Sequence, residues 1–376
     1  MKIIYLANAR IPTEKAHGIA IMRSCEAFAR AGSAASLVVP RRRSSSPDAF
    51  AHYGVEKNFR LIFLPTLDLY DFVPDKLAFA LQVSTFYVSA ALWLLFQSRA
   101  NLIYTREPFP LRFSMLGFRV AFECHRISRR RKAFFAAAKR AEKIIVISKA
   151  LRDIFVSAGF IEKEILVAPS GVNLSVFDIE TSKETARQEL QLPLDAKIAL
   201  YTGNFTTMGE DKGIGDIIEA LKSAPEILFV AVGGSDEDIK RYEMKAREAG
   251  VQERVLLRGN APQKRLALYQ KAADVLLMPF PDTPHYRMHM SPVKMFEYMA
   301  ADRPIIASDL PTIREVLNEQ NALLVPPGDT RALALAMQLL FAQPELAARL
   351  SGRAHGDVAA YSWQERTRRV LQFLAV

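Results

Sequence analysis

Ile198-Ala199-Leu200-Tyr201-Thr202-Gly203-Asn204-Phe205, with Lys212-Gly213 and a helical pattern over 215–222 close behind, is the stretch that decides how this chain folds. A short β-branched and aromatic run, broken by Gly and followed by 3.6-residue periodicity, reads as strand, turn and helix. The unit recurs in both directions. Toward the N-terminus the pattern predicts strands at 3–6, 35–39, 61–64, 102–104, 120–123, 144–147 and 165–168, with helices such as 19–30 and 132–141 between them. Toward the C-terminus it predicts strands at 227–232, 255–258, 275–278, 305–307 and 323–325, with helices at 236–248, 264–272 and 293–299. Strand–helix alternation in both halves predicts an α/β protein with two doubly wound parallel sheets. Its 376 residues fit two cores of roughly 150–200 residues each. Turn chemistry at Ser170-Gly171-Val172-Asn173 sets the expected domains at 1–175 and 176–360, with 361–376 as a final helix placed to cross back to the first.

Composition is that of a globular chain, half apolar and 24% charged. Two cysteines, Cys25 and Cys124, make neither a disulfide framework nor a zinc cluster, which fits a reducing cytoplasm. The opening run Ile3-Ile4-Tyr5-Leu6-Ala7 reads as a strand and not as a signal peptide. The net charge of +10 is polarised: residues 1–150 hold 24 Lys and Arg against 10 Asp and Glu. The excess sits in Arg41-Arg42-Arg43 and in 126–140, and suggests an anionic surface as partner, a solvated basic face being the plain alternative. No zinc-finger, RNP or helix-turn-helix pattern points to nucleic acid. Residues 77–96 carry no charge over a length that could span a bilayer. Inside a regular strand–helix alternation they read as a largely buried helix, with a surface helix dipping into a membrane interface as the second reading.

Four motifs carry chemistry. Gly203-Asn204 with Lys212-Gly213 at a helix start offers backbone N–H groups and a fixed positive charge to an anion, without P-loop or GxGxxG spacing. Ser291-Pro292-Val293-Lys294-Met295-Phe296-Glu297 starts a helix with Ser291 as N-cap and Pro292 as first residue, a second anion site. Glu297 is placed to accept hydrogen bonds from the vicinal hydroxyls of a ribose. His125 ends the strand in Glu123-Cys124-His125, where ligands meet open α/β sheets. Gly18, closing the loop 10–18, lets a backbone approach a ligand closely. Singly, each is also an ordinary surface or loop residue. Asp236-Glu237-Asp238 resembles a metal-binding triplet, but acidic residues in a first helical turn have a dipole explanation, and no metal is expected.

As an ordered set these stretches resemble the family 4 retaining glycosyltransferases, over nearly the whole length. Ile11-Pro12 through His17-Gly18, Tyr104-Thr105-Arg106-Glu107, Glu123-Cys124-His125, Ala168-Pro169-Ser170-Gly171, Tyr201-Thr202-Gly203-Asn204, Lys212-Gly213, Val232-Gly233-Gly234, the run 291–300 and Pro304-Ile305-Ile306 follow in the family's order. The resemblance implies a GT-B fold, two Rossmann-like domains facing across a cleft, and transfer of a hexose from a nucleoside-diphosphate sugar to a glycan or lipid-linked acceptor with retention. It implies that Lys212 and the N–H groups near Ser291, Pro292 and Val293 hold the diphosphate, with Gly203 beside them. Glu297 would bind the ribose and Arg258-Gly259-Asn260 lie beside the base. His125 would touch the transferred sugar, and Gly18 lie against donor and acceptor. The leaving phosphate would accept the acceptor's proton, so His125, Lys212 and Glu297 are the candidate catalytic residues, with no cofactor beyond the substrate.

Two positions depart from the pattern. His289 stands where the family's first motif Glu is expected, and Asn204 where its diphosphate Arg is expected. Arg287 is the candidate for the missing charge. A nucleotide-sugar epimerase and a non-catalytic nucleotide-sugar-binding protein are the competing functions. The expected setting is bacterial cell-surface polysaccharide or glycolipid synthesis in the cytoplasm, peripheral to the inner membrane face.

Overall fold

In the computed structural model, which describes residues 1–13, 16–43, 48–207 and 209–375, the first sheet runs through β1 (Lys2–Leu6), β2 (Ala34–Pro40), β3 (Arg60–Leu64), β4 (Leu102–Thr105), β5 (Arg119–Cys124), β6 (Lys143–Val146) and β7 (Ile165–Val167). Its order is β3-β2-β1-β4-β5-β6-β7, every pair parallel, with Ile3 opposite both Ala35 and Leu102. The period of two explains why these runs are strands. Ile3, Tyr5, Leu37, Leu102, Tyr104 and Ile145 face one core, while Ile4, Leu6, Val38, Ile103, Phe122 and Ile144 face the other. The helices Ala16–Arg30 and Trp363–Ala375 cover the first face, through Met22, Cys25 and Phe28 and through Val370 and Leu374. Each such buried apolar side chain contributes about 1.5–3 kcal/mol.

The second sheet comprises β8 (Lys197–Thr202), β11 (Ile227–Val232), β12 (Val255–Arg258), β13 (Val275–Met278), β14 (Ile305–Ser308) and β15 (Leu323–Val325), with a two-strand ribbon, β9 (Thr206–Thr207) and β10 (Glu210–Asp211), after β8. The order is β12-β11-β8-β13-β14-β15, again parallel. Ile198, Leu200, Val230 and Leu276 line one core, and Ala199, Tyr201, Phe229 and Leu277 the other. Both sheets reverse direction of winding at their first strand, between β1 and β4 and between β8 and β13. Crevices outside the carboxyl ends at such points are where this architecture binds ligands. The units comprise Met1–Pro169 with Trp363–Val376, and Ser170–Ser362.

The uncharged stretch differs from its expected burial. It forms the helix Asp75–Leu95, of which Ala78, Gln82, Phe86, Tyr87, Ala90 and Leu94 are buried. Leu77, Val88, Leu92 and Leu95 are each at least half exposed, and only 33% of its most apolar window is buried. These four residues lie three, four or eleven apart and so share one helical face. Length and apolarity signal a helix, but they are the same on a buried and an exposed face.

Candidate active site

In the second unit three loops meet where β8, β11 and β12 end. The Gly203 N–H donates to the Val232 carbonyl (2.8 Å), and the N–H groups of Gly233 and Gly234 donate to the Arg258 carbonyl (3.0 and 3.2 Å). A side chain on Gly233 (φ 125°) would stand 2.6 Å from the Gly203 backbone. Only glycine fits there. Gly213 (φ 91°) is equally constrained, since a Cβ would fall 1.9 Å from the Pro279 carbonyl oxygen in the loop after β13. The structure thus brings the Gly203-Asn204 turn, Lys212 and the loops after β11, β12 and β13 to one edge of the sheet.

Two anion-site readings need correction. The helix after Lys212, Ile214–Ala220, has no open N-terminus: Asp211 accepts from the N–H groups of Gly213 (2.7 Å), Ile214 (2.8 Å) and Gly215 (3.1 Å). What remains for a ligand there is the Lys212 ammonium, whose burial pushes it down to about 8 against the pull of Asp238. Ser291 does not cap its helix either. The helix is Val293–Ala300 with Pro292 in the capping position, and the Ser291 hydroxyl accepts from the Ser170 N–H (2.8 Å). No side chain caps that helix, and of its first N–H groups Met295 donates to the Pro292 carbonyl (3.0 Å), so no side chain competes with an anion for those of Val293 and Lys294.

Glu297 lies on this helix and is 8% exposed, not solvent-facing. Burial raises its carboxyl from 4.5 to about 7, opposed by the Lys294 ammonium and a hydrogen bond from Gln270. Tyr298 ties the helix to the end of β8 by accepting from the Thr202 N–H (2.8 Å). A pocket of 360 Å³ opens at Arg258, Gly259 and Asn260, and Gln191, Arg265 and Tyr269 complete its walls. It is large enough for a nucleobase. Asp238 belongs to a capping box with Ser235 at the start of Asp236–Glu248, as the dipole reading of that triplet expects. Arg287 forms a bidentate pair with Asp282, both half-exposed, so its charge is already neutralised. His289 follows the short helix Pro284–Met288, its N–H donating to the His285 carbonyl (2.8 Å).

In the first unit, His125 follows β5 and its Nε2 sits 2.6 Å from Glu123. Glu123 is fully buried, paired with Arg106 and Arg366 (2.9 Å each) and hydrogen-bonded by Tyr104. Burial alone would raise its carboxyl, but the two guanidinium groups and His125 hold it well below the usual range. The carboxylate is therefore the acceptor and His125 donates. Burial and Arg106 keep the imidazole below its ordinary value and so neutral. A neutral ring donating through Nε2 leaves Nδ1 as an acceptor. Gly18 lies within the helix Ala16–Arg30 and not in a loop. Its missing side chain makes room for the Tyr53 hydroxyl and the Thr13 methyl, 2.5 and 2.6 Å from where a Cβ would stand, so packing within the protein is enough to require the glycine. Glu14 and Lys15 of the same stretch lie outside the described residues.

Lys294, Gln270 and Asp211 carry no role in the sequence reading. The signal for Lys294 was its spacing: it precedes Glu297 by three residues and shares its helical face.

Parallel Rossmann-like units, one with a cationic, carboxylate-bearing edge, place the protein in the GT-B class. Over its full length it is similar to sucrose-phosphate synthase from Thermosynechococcus elongatus (TM-score 0.79, 23% identity, 98% of that chain). It is likewise similar to Anabaena HepE, solved in complex with UDP and glucose (TM-score 0.78, 15% identity, 100% of this chain and 99% of that one). Residues 182–356 match the family described as glycosyl transferases group 1. Its curated relatives include a D-inositol 3-phosphate glycosyltransferase of Xylanimonas cellulosilytica, 28% identical over 56% of this chain and 50% of that protein. A phosphatidyl-myo-inositol mannosyltransferase of Mycobacterium leprae is 28% identical over 52% of this chain and 49% of that protein. The matched segment thus spans about half the length of these relatives.

Proposed function

We propose that this chain is a retaining glycosyltransferase that moves a hexose from a nucleoside-diphosphate sugar to an acceptor hydroxyl, in building a bacterial cell-surface polysaccharide or glycolipid. The observation that carries the reading is one sheet edge that assembles Lys212, the uncapped helix Val293–Ala300, buried Glu297 and the pocket at Arg258-Gly259-Asn260. That is a cation, an N–H cluster, a carboxylate and a slot, the chemistry of diphosphate, ribose and base. In the reaction the bond from anomeric carbon to diphosphate oxygen breaks and its electrons stay with the diphosphate. The acceptor oxygen bonds to the same face of that carbon, and its proton passes to the leaving phosphate. The chain's part is to hold the reactants and stabilise growing negative charge. His125, through Nδ1, accepts from a hydroxyl of the transferred sugar. The UDP and glucose named for HepE and the glycosyl transfers named for the curated relatives support this reading.

A panel of UDP-, GDP- and ADP-sugars tests it. One of them is expected to raise the melting temperature, with about 2.7 kcal/mol of stabilisation at a hundredfold excess over Kd. Transfer is expected to persist in EDTA. Stabilisation by none of the panel would sink the reading, and loss of transfer in EDTA would sink its metal-free part.

The same proposal sets the protein at the cytoplasmic face of an anionic membrane, next to a lipid-linked acceptor. The exposed stripe Leu77, Val88, Leu92 and Leu95, with exposed Phe72 and Phe96, supplies apolar contact. Arg129, Arg130, Arg131 and Lys132, all exposed, supply charge at about 1 kcal/mol each near the surface. Vesicles containing phosphatidylglycerol are expected to sediment the protein, and vesicles of phosphatidylcholine alone to do so far less. Val88→Asp with Leu92→Asp is expected to weaken the association about tenfold or more. Equal binding by that double variant would remove the stripe from the interface.

A further inference from the structure

The ammonium of Lys294 is buried and makes no hydrogen bond. Its Nζ lies 3.3 Å from the centroid of the Tyr201 ring and 5.5 Å from that of Phe280. The Cε sits 3.4 Å from where Gly203 would carry a Cβ. A cation–π contact returns only part of what stripping an ammonium of its water costs. The arrangement is therefore a burden on the empty protein. Unsatisfied buried charge of this kind marks places where a ligand supplies the counter-charge.

The surroundings define that ligand. Burial first, and then the like charge of Lys212, push the Lys294 ammonium well down, and Glu297 is the carboxylate that opposes them. Asp238 acts on Lys212, so Glu297 is the carboxylate left to Lys294, and it is the ribose acceptor of the reading above. The Lys294 ammonium lies against the Gly203 turn, beside exposed Asn204, which carries no charge of its own. Arg287 cannot supply it while its guanidinium is paired with Asp282. We propose that Lys294 is the second cation that receives the donor's diphosphate, together with Lys212. The inference rests on the nucleotide-sugar reading. The four-carbon stem lets the ammonium leave the Tyr201 ring for a phosphate oxygen, while the backbone N–H groups at the start of the same helix approach the same anion.

Lys294→Met keeps the stem and removes the charge. Titration calorimetry with UDP, GDP and ADP identifies the diphosphate that the parent protein binds, and thermal shift with the matching nucleoside serves as the uncharged control. The variant is expected to bind that diphosphate about 10–100-fold more weakly, as loss of a charge-assisted hydrogen bond implies. Its response to the nucleoside is expected to stay that of the parent, and its own melting temperature to rise. Adding Asn204→Arg to Lys294→Met is expected to restore most of the lost affinity, because it returns a cation to the same turn. A packing defect would not be repaired that way. Unchanged diphosphate affinity, an equal loss for the nucleoside, or a variant that fails to fold would each overturn the proposal. Absence of diphosphate binding by the parent would instead defeat the nucleotide-sugar reading, and this inference with it.

Discussion

Glu297→Gln is expected to melt higher than the parent at pH 8 and to lose its hold on a nucleoside-diphosphate sugar. Both effects come from one buried carboxyl. Its folded-state value, about 7, lies above the ordinary 4.5. The folded protein therefore binds that proton more tightly than the unfolded chain does. The resulting stabilisation is full below about pH 4.5 and is lost as pH rises through 7. Above pH 7 the ionised carboxylate weighs on the fold by up to roughly 3 kcal/mol, which glutamine removes. Near pH 4 the two proteins are expected to melt together. A ribose pair of hydroxyls needs the ionised form as double acceptor, so donor affinity is expected to fall about tenfold per unit below pH 7. Melting curves at pH 4 and 8, with donor titrations at pH 5.5 to 8, decide it. A glutamine variant that binds donor like the parent would remove Glu297 from the ribose site.

Lys294 and Glu297 show where sequence reasoning stops. The alternation that forms two doubly wound sheets is visible in the chain because the period of two splits Ile3 from Ile4, and Ile198 from Ala199, between opposite cores. The order of motifs likewise places Arg258 at a strand end, Lys212 before a helix and Glu297 a turn into another. Burial is a different matter. Glu297 reads equally as a solvent-facing helix residue until helix Val293–Ala300 is seen tied to Thr202 by Tyr298. The Ser291 hydroxyl is a good N-cap by type, but Ser170, 121 residues away, takes it. Asp211 silences the N-terminus beside Lys212 through three local bonds that a motif search for glycine and lysine does not weigh. In each case a tertiary partner or a neglected neighbour changed the chemistry, and residue type alone held no trace of it. Helix Asp75–Leu95 failed in the same way, since apolarity predicts burial only where something is present to cover it.

Glu123→Gln is expected to be the most destabilising single change in the first unit. The carboxylate is the shared counter-charge of Arg106, fully buried Arg366 and, through a hydrogen bond, His125. Removing it leaves two guanidinium groups inside the protein without compensation, which costs about 3–5 kcal/mol. In a unit of this size that is a fall of roughly 6–20 °C in its melting transition. Arg366 lies on the helix Trp363–Ala375, whose Val370 and Leu374 also enter the core. Ending the chain before Trp363 is therefore expected to destabilise the same transition at least as much. The pH dependence separates this pair network from simple packing. The folded-state value of Glu123 is held well below 4.5, so its contribution is present above the ordinary carboxyl range and is lost only as pH falls through that depressed value. The gap between parent and variant is expected to stay constant from pH 5 to 9 and to close in strong acid. Glutamine also turns the partner of His125 Nε2 from a carboxylate into an amide, which no longer selects a single tautomer. Transfer is then expected to fall even at temperatures where the variant is folded. Scanning calorimetry across pH, with a transfer assay at 15 °C, reads both effects. A melting temperature within 2 °C of the parent would mean that Arg106 and Arg366 find other partners, and that His125 owes its orientation to something besides Glu123.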